Sequence, residues 1–534
     1  MLAPSREALM RSRDALIATK AKMSVALPQH QIAENSGVFL ERPLPVAVPP
    51  SKHVTSDQTG RVESQVGRAK EFGAGRVFGR GASLALVACV TIAATPARAE
   101  DLAAALVKAY QTSPQLNAER ARQRGTDENV PQALSGYRPQ IVANLGVGLQ
   151  AVRDLLPGNV VQSATLKPWE IGVTVTQTLY NGNRTANSVR QAELQVQSGR
   201  EALRNVGQGV LLDAVTAYTN VIANQSLVEA QRSNIAFLKE TLSITQRRLN
   251  AGDVTPTDSS QAEARLARGQ SDLNAAEVNL AISQATYAQV IGSPPGVLKA
   301  ADPIDRLLPR SREDAIVLSA KENPAVTAAG FDVDAASTAI RIAEGTLLPT
   351  VTLQGNVSRS RDSDPTLGTF GTDQASLTAN VTAPIYDGGM AASQTRQAKE
   401  LTTQSRLVLD QVRNQARTAA ISAWVANEGA KIAVTASESE VRAATVALQG
   451  VSKEAQGGQR TTVDVLNSQS DLIQAKARLI GAQRDRVVAS YTLLSAIGRL
   501  DVKNLALNTP DYLPEVHYHQ IRDAWHGLRT PSGQ

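Results

Sequence analysis

The chain repeats itself. Tyr180-Asn181-Gly182-Asn183 returns as Tyr386-Asp387-Gly388-Gly389, Thr255-Pro256-Thr257-Asp258 as Thr461-Thr462-Val463-Asp464, and Ile291-Gly292 as Ile497-Gly498, all at one offset. Upstream, Ser113-Pro114 answers to Asn323-Pro324 and Pro139 to Pro349 at a slightly larger offset, so the first copy carries a longer loop between Pro139 and Tyr180. Duplication over roughly two hundred residues constrains the fold before any local motif does, because both copies must adopt the same unit.

The repeat sets the organisation: a first unit over 100–300, a second over 301–500 and a tail over 501–534. Ahead of it, Arg76 and Arg80 precede an apolar run from Ala82 to Ala94, and Ala97-Arg98-Ala99 offers a small-x-small cleavage site before Glu100. Residues 76–99 therefore read as a secretion signal, too short to span a bilayer as a helix. Residues 1–75 are rich in Pro, Ser, Gln and charge without periodicity, and read as a disordered leader or a misplaced start.

Charge follows the same division. The net +6 of the whole chain resides before Glu100, and residues 100–534 balance their bases and acids. A nucleic-acid binder would keep a basic surface on the folded part, so no nucleic-acid partner is expected. The single cysteine, Cys89, falls inside the signal, leaving the exported chain without a disulfide. Leu86-Val87-Ala88-Cys89 also resembles a lipoprotein cleavage box.

Each copy reads helix, hairpin, long helix, helix. Leu466, Ile473, Ile480, Val487 and Leu494 recur every seven residues, beside Val465, Leu472, Leu479 and Leu493, with Arg486 the polar interruption. Leu266, Leu273, Leu280 and Tyr287 answer in the first copy. Sustained sevens indicate coiled-coil packing. The preceding segments, 183–250 and 390–456, lack proline and could each extend about 100 Å as helix.

Between the helices lie four segments with period-two alternation, at about 139–150, 168–180, 349–358 and 375–386. One face carries Ile141, Leu145, Ile171, Val173, Val351, Leu353, Leu377 and Val381; the other carries Thr, Asn, Gln, Ser and Gly. Each has the length of a tilted membrane-crossing strand. The segments 151–167 and 359–374 are polar and read as hairpin loops. Four strands cannot close a barrel, so several chains would have to share one.

The signal, the duplicated unit, the Tyr-(Asn/Asp)-Gly corners and the turn Gly457-Gly458-Gln459-Arg460-Thr461-Thr462-Val463-Asp464-Val465-Leu466 resemble the TolC family of outer-membrane channels over residues 100–527. Tyr512 to Trp525 resembles the tail of the branch serving type I secretion, departing with Leu513 where that branch commonly has Asp. The resemblance implies a fold mainly α with membrane β, in which a homotrimer forms a twelve-stranded barrel continued by a periplasmic α-barrel. It implies an outer-membrane location reaching into the periplasm, outer-membrane lipid around the strands, and docking to a periplasmic adaptor and an inner-membrane ABC or RND transporter. The activity implied is passive export, for type I protein secretion or small-molecule efflux.

It also implies a gate. Arg460 matches an arginine that tethers the second-half tip to a neighbouring hairpin, with Thr257 and Asp258 as partners. Asp464 matches the first of two pore-facing acids, and Asn467 stands where the family often has the second. Three Asp464 carboxylates would form a cation-favouring ring of about half the charge of a two-acid version. Independently of any family, Asp258 and Asp464 each follow a threonine by three residues, the spacing of a helix N-cap.

No catalytic or cofactor motif is present: neither a phosphate loop, a hydrolase elbow nor a His-Glu-x-x-His metal signature. His517, His519 and His526 lack the accompanying ligands of a metal site and read as tail surface residues. The non-channel alternative is a periplasmic coiled-coil adaptor without a pore. Within transport, the alternative is a lipid-anchored, efflux-dedicated duct. Mass determination of the mature N-terminus separates the last: we expect Glu100, and an acylated Cys89 would establish the anchor instead.

Overall fold

A computed structural model describes residues 100–158, 160–364, 368–531 and 533, all within the unit Thr91–Gln534. The expected leader, signal and Cys89 lie outside the described residues. The first copy comprises α1 (Leu102–Thr112), α2 (Pro114–Asp127), α3 (Asn129–Leu134), β1 (Gln140–Val147), β2 (Gln150–Leu156), β3 (Val160–Leu166), β4 (Trp169–Asn181), α4 (Arg184–Asn250) and α5 (Pro256–Ile291). The second comprises α6 (Arg312–Glu322), α7 (Pro324–Gly345), β5 (Thr350–Asp364), β6 (Gly368–Thr382), α8 (Met390–Gln456) and α9 (Thr462–Ala496), followed by α10 (Pro514–Ile521) in the tail.

Helices α4 and α8 run 67 residues each, about 100 Å at 1.5 Å per residue. Good helix formers and the absence of proline permit that length, and packing on neighbouring helices stabilises it. α5 packs on the half of α4 farther from the sheet, while α2 and α3 pack on the nearer half. α9 bridges α8 and α4 at the far end, and α7 does so at the near end. The result is a wall of four staves.

The expected sevens are present, but the deepest row is the small one. Ala262, Gly269, Ala276 and Ser283 are buried on α5, with Leu266, Leu273 and Leu280 only half-buried beside them. Small side chains let the two backbones approach closely. A Cβ at Gly269 would lie 2.8 Å from Leu238 Cδ1 and 3.2 Å from Ile235 Cδ1.

The main core sits at the waist, where α1, α4, α5, α6, α8 and α9 converge around Leu106, Leu211, Tyr218, Tyr287, Leu493 and Leu494. The Tyr218 hydroxyl lies 2.8 Å from the carbonyl oxygens of both Glu100 and Lys299, and burial pushes it up to about 12. Arg486, the interruption in the apolar row, is not a surface exception. It is buried, donates to Asn427 Oδ1 at 2.6 Å and pairs with Asp305, joining α9 to α8 and to the connector before α6.

The duplicated junctions have a backbone cause. Gly182 and Asn183 both take positive φ (67° and 60°), as do Gly388 and Gly389 (70° and 88°), so each strand-to-helix corner needs two successive left-handed residues. Only Gly and Asn adopt that conformation at low cost. Ile-Gly ends α5 and α9 in the same way, and Gly498 (φ 82°) is so close to the end of α6 that a Cβ would meet the Glu322 carbonyl oxygen at 2.3 Å. Next to it, Arg499 grips Glu322 with two bonds of 2.6 and 2.8 Å, holding that carboxyl below its ordinary range.

The tail is a strap. Arg120 stacks on Tyr110 and Tyr512, Arg200 on Tyr518, and Arg138 on Trp525, with ring-centroid distances of 4.7, 5.0, 5.2 and 4.8 Å respectively. His517 does not behave as a plain surface residue. Its Nδ1 lies 3.0 Å from Asp127 Oδ2, and Asp127 is fully buried and also accepts from Gln123 Nε2 at 2.8 Å. Sequence reasoning missed Asp127, whose partner lies 390 residues away.

The sheet has the order β1-β4-β5-β6, antiparallel throughout. Its register stacks apolar on apolar: Ala143, Val173, Val357 and Ala375 form one row, and Ile141, Val175, Gly355 and Leu377 the next. Most of this face is solvent-exposed, with Leu145 at 74% and Leu377 at 74%, and only β5 is partly covered along it. The segments read as loops are strand instead. Gln150–Leu156 and Val160–Leu166 pair as the β2–β3 ribbon, and β5 and β6 continue to Asp364 and from Gly368. Their polar composition suits a ribbon wetted on both faces, and cross-strand pairs such as Arg359–Asp373 (2.8 Å) hold it. The first hairpin breaks at Gly148, whose N–H donates to the Pro168 carbonyl (2.8 Å) where Pro168 cannot continue the ladder. At the other end β6 stops at Thr382 rather than continuing to Tyr386, because its only partner β5 begins at Thr350; β4 ends against the same Thr350 at Asn181.

Gly252 and Gly498 share φ 82°, but only Gly498 faces backbone. Gly252→Ala should cost only the left-handed penalty, about 1–2 kcal/mol. Gly498→Ala should cost several-fold more, read as a much larger fall in melting temperature of the detergent-purified protein. Equal falls would show that the α6–α9 joint tolerates a side chain.

Candidate functional site

The hairpin tips lie at the end of the wall remote from the sheet. Each is a short turn closed by a capping box with nearly the same dimensions in both copies. In the first, Thr255 Oγ1 accepts from the Asp258 N–H at 3.3 Å, and Asp258 Oδ2 accepts from the Thr255 N–H at 3.0 Å and its hydroxyl at 2.8 Å. In the second, the matching bonds of Thr461 and Asp464 are 3.2, 3.0 and 2.9 Å. Pro256 occupies the first turn of α5, where no intrahelical N–H is needed. The backbone and hydroxyl bonds from Thr255 and Thr461 hold both carboxyls below the ordinary aspartate range, with minor help from Arg248 and Arg460.

A small apolar cluster closes the tips against each other: Leu238, Ala262 and Leu466 are buried, with Phe237, Leu242 and Leu266 around them. Above it, Gln469 Nε2 donates to Asn234 Oδ1 at 2.8 Å in a buried bond from α9 to α4. Beside the cluster runs a groove of 570 Å³ between the hairpins, lined by Ile244, Arg248, Ala455, Thr462 and Val465 among others.

Of the residues singled out from sequence, Asp258 and Asp464 are the capping acids. Arg460 donates from Nε to Glu454 Oε2 at 3.0 Å, within its own hairpin. Among the described residues of one protomer, neither Thr257 nor Asp258 bonds Arg460. Asn467 accepts instead from Arg265 Nη2, at 2.9 Å, from α5 to α9. Arg265 was not read from sequence. Its one available signal is its position seven residues after Asp258, on the same face of α5.

Capping makes the tips acid-sensitive, with a definite sign. Both folded carboxyls bind protons more weakly than in the unfolded chain. Their contribution is complete above the ordinary aspartate pKa and is lost as pH falls through the depressed folded value. Amide exchange at 250–262 and 456–468 should therefore accelerate at low pH relative to the α4 and α8 mid-segments. Thr461→Ala should move that acceleration to higher pH at the second tip alone. An unshifted profile would mean that the box does not set the carboxyl's proton affinity.

The remaining geometry is that of a wall, not a reaction centre: long staves, a closed tip, and an apolar sheet with two open edges, β1 and β6. No helix among the described residues is long and apolar enough to cross a membrane. The model of the outer membrane efflux protein family matches residues 105–293 and 315–499, the two copies of the repeat. The chain is 38% identical over 455 residues to outer membrane efflux protein BepC of Brucella suis, spanning 85% of this chain and 97% of that one. It is 28% identical to outer membrane protein TolC of Vibrio cholerae, over 76% and 92% of the two chains. The fold is similar to the Campylobacter jejuni CmeC outer membrane channel, with TM-score 0.66 and 14% identity over 79% and 89% of the chains. The sheet, the staves and the two matched repeats lead to one conclusion: the chain belongs to the outer membrane efflux protein family.

Proposed function

We propose that three copies assemble into an outer-membrane exit duct whose periplasmic end is closed by the hairpin tips. The carrying observation is the sheet: an apolar face largely exposed in one chain, with both edges, β1 and β6, unpaired among the described residues. In lipid each unpaired backbone group costs several kcal/mol. Three sheets of four strands remove every edge by joining β6 of one copy to β1 of the next. The protein is a channel component and not an enzyme, and transport energy comes from its partners.

The polar sheet face and the helical wall then enclose a water-filled path. At the tip we assign Asp464 to a ring of three carboxylates, kept ionised by its capping bonds, which favours cations. Asn467, neutral and bonded to Arg265, adds no charge to the ring. Two contacts keep the tip closed: Arg265 with Asn467 inside one protomer, and Arg460 with Thr257 and Asp258 of the neighbouring hairpin across the protomer boundary. Among the described residues Asp258 forms no ion pair, and Arg248 acts on it only at a distance, which leaves its carboxylate able to receive a cation. A periplasmic adaptor seated at the groove between the hairpins would compete for these contacts and draw the tips apart. An inner-membrane ABC or RND transporter would then load protein or small-molecule cargo.

Planar-bilayer recording tests the gate. Arg265→Ala and Arg460→Ala should each raise single-channel conductance several-fold, and Asp464→Ala should lower cation selectivity without opening the channel. Unaltered conductance in both arginine variants would refute the latch, and unchanged selectivity in Asp464→Ala would remove the acid ring.

A further inference from the structure

The apolar face of the sheet ends in a cluster of charge that the duct does not use. On β5 the outward row runs Val351, Leu353, Gly355, Val357, and the same face then presents Arg359 and Arg361. From Thr350 to Arg359 the strand rises about 30 Å, or roughly 23 Å along the membrane normal for a strand tilted by about 40°. That is about the height of the apolar band of an outer-membrane barrel. The two guanidinium groups therefore emerge at the headgroup level of the outer leaflet. Trp169, paired with Arg361 across β4 and β5, stands beside them as an interfacial aromatic.

The cluster is organised. Asp373 on β6 accepts from Arg359 Nε and Nη2, both at 2.8 Å, and from Arg361 Nη1 at 2.9 Å. Arg361 lies across Gly371, where a Cβ would fall 2.2 Å from Arg361 Cδ, so the glycine creates the bed for this side chain. A further bond from Arg361 Nη1 to the Ser360 carbonyl (2.9 Å) fixes its direction. Two cations share one carboxylate, leaving a net positive charge. Arg359 Nη1, Arg361 Nε and Arg361 Nη2 keep N–H groups without a protein acceptor among the described residues. Against Arg359, Asp373 and the strand backbone lies a shallow recess of 480 Å³, floored by Ile171, Val173, Val357 and Ala375.

A structural salt bridge would need one arginine. Arg359 alone satisfies Asp373 bidentately, and Arg361 is surplus to it. Pre-oriented arginines above an apolar recess match an amphiphile with an anionic head and acyl chains. We propose that Arg359 and Arg361 form a binding site for the sugar phosphate of an outer-leaflet glycolipid, whose acyl chains lie in the recess. The inference rests on reading the apolar face as lipid-facing.

The test uses the full-length protein in detergent, with lipid A carrying its phosphates, enzymatically dephosphorylated lipid A, and inorganic phosphate as probes. Binding is measured by native mass spectrometry. The wild-type protein should retain phosphorylated lipid A at least tenfold better than the dephosphorylated form. Arg361→Gln keeps the Arg359–Asp373 pair and should lose most of that preference with an unchanged melting temperature. Should it misfold, Arg361→Lys, keeping charge without the fork, should show a reduced preference. Equal retention of both lipids by the wild type, an undiminished preference in the folded variants, or displacement of lipid by millimolar phosphate would each overturn the assignment. Bilayer conductance of the same preparations separates the two readings: conducting channels without phosphate preference refute the lipid site and leave the duct intact.

Discussion

Unpaired backbone is the constraint on which the rest of this structure depends. The four-stranded sheet has an apolar face that water does not favour and two edges that lipid does not tolerate. Neither problem can be solved within one chain, because the hairpins supply too few strands to close. The long helices inherit the consequence. Each sheet feeds two of them through the paired left-handed corners at Gly182–Asn183 and Gly388–Gly389, so whatever closes the barrel also closes the wall below it.

The waist converts this into a rigid body. Staves of about 100 Å packed mainly through small residues would bend easily, since small side chains bury little area per contact. Tyr218, Tyr287, Leu493 and Leu494 concentrate the large buried side chains at one level. Arg486 ties α8, α9 and the 305–307 connector together there. Removing one partner of such a buried charge is far more damaging than never having had it. The tail strap adds three arginine–aromatic contacts, to Arg120 on α2, Arg200 on α4 and Arg138 just before β1. The tips, by contrast, have only a small apolar cluster and exposed polar bonds. Stability therefore falls from the waist toward the tip, which is where the proposed gate would move.

The features legible in the sequence are those that obey a local period or a local backbone rule. Sevens located the seams, twos located the sheet faces, and Thr-x-x-Asp located the capping boxes. The features that escaped join distant parts of the chain. Apart from its seven-residue spacing from Asp258, nothing in the sequence sets Arg265 above Arg268, and the packing of α5 on α9 selects it as the partner of Asn467. His517 looked like a surface histidine because Asp127 lies in another helix. Arg486 was visible as an interruption, but its partners Asn427 and Asp305 were not. The strands ran past their expected ends for a related reason: polar composition marks water on both faces, and a ribbon in water satisfies that as well as a loop does.

The duplication is most exact where it serves stability and least exact where it serves the proposed gate. Both tips carry a Thr–Asp box with matching bond lengths, because each helix start has free N–H groups that must be satisfied. Asp464 therefore cannot be exchanged freely even if its charge were unwanted in the pore, and on the proposed reading the ring is built from an acid the helix already needs. Asn467 has no such duty. One turn into the helix its side chain is free to vary, and here it accepts from Arg265 rather than contributing charge. Arg460 has Val254 as its counterpart in the first copy, so three copies give three such arginines rather than six. On the proposed reading two kinds of contact, each repeated three times, hold the tip, and both can be broken while every helix cap stays intact.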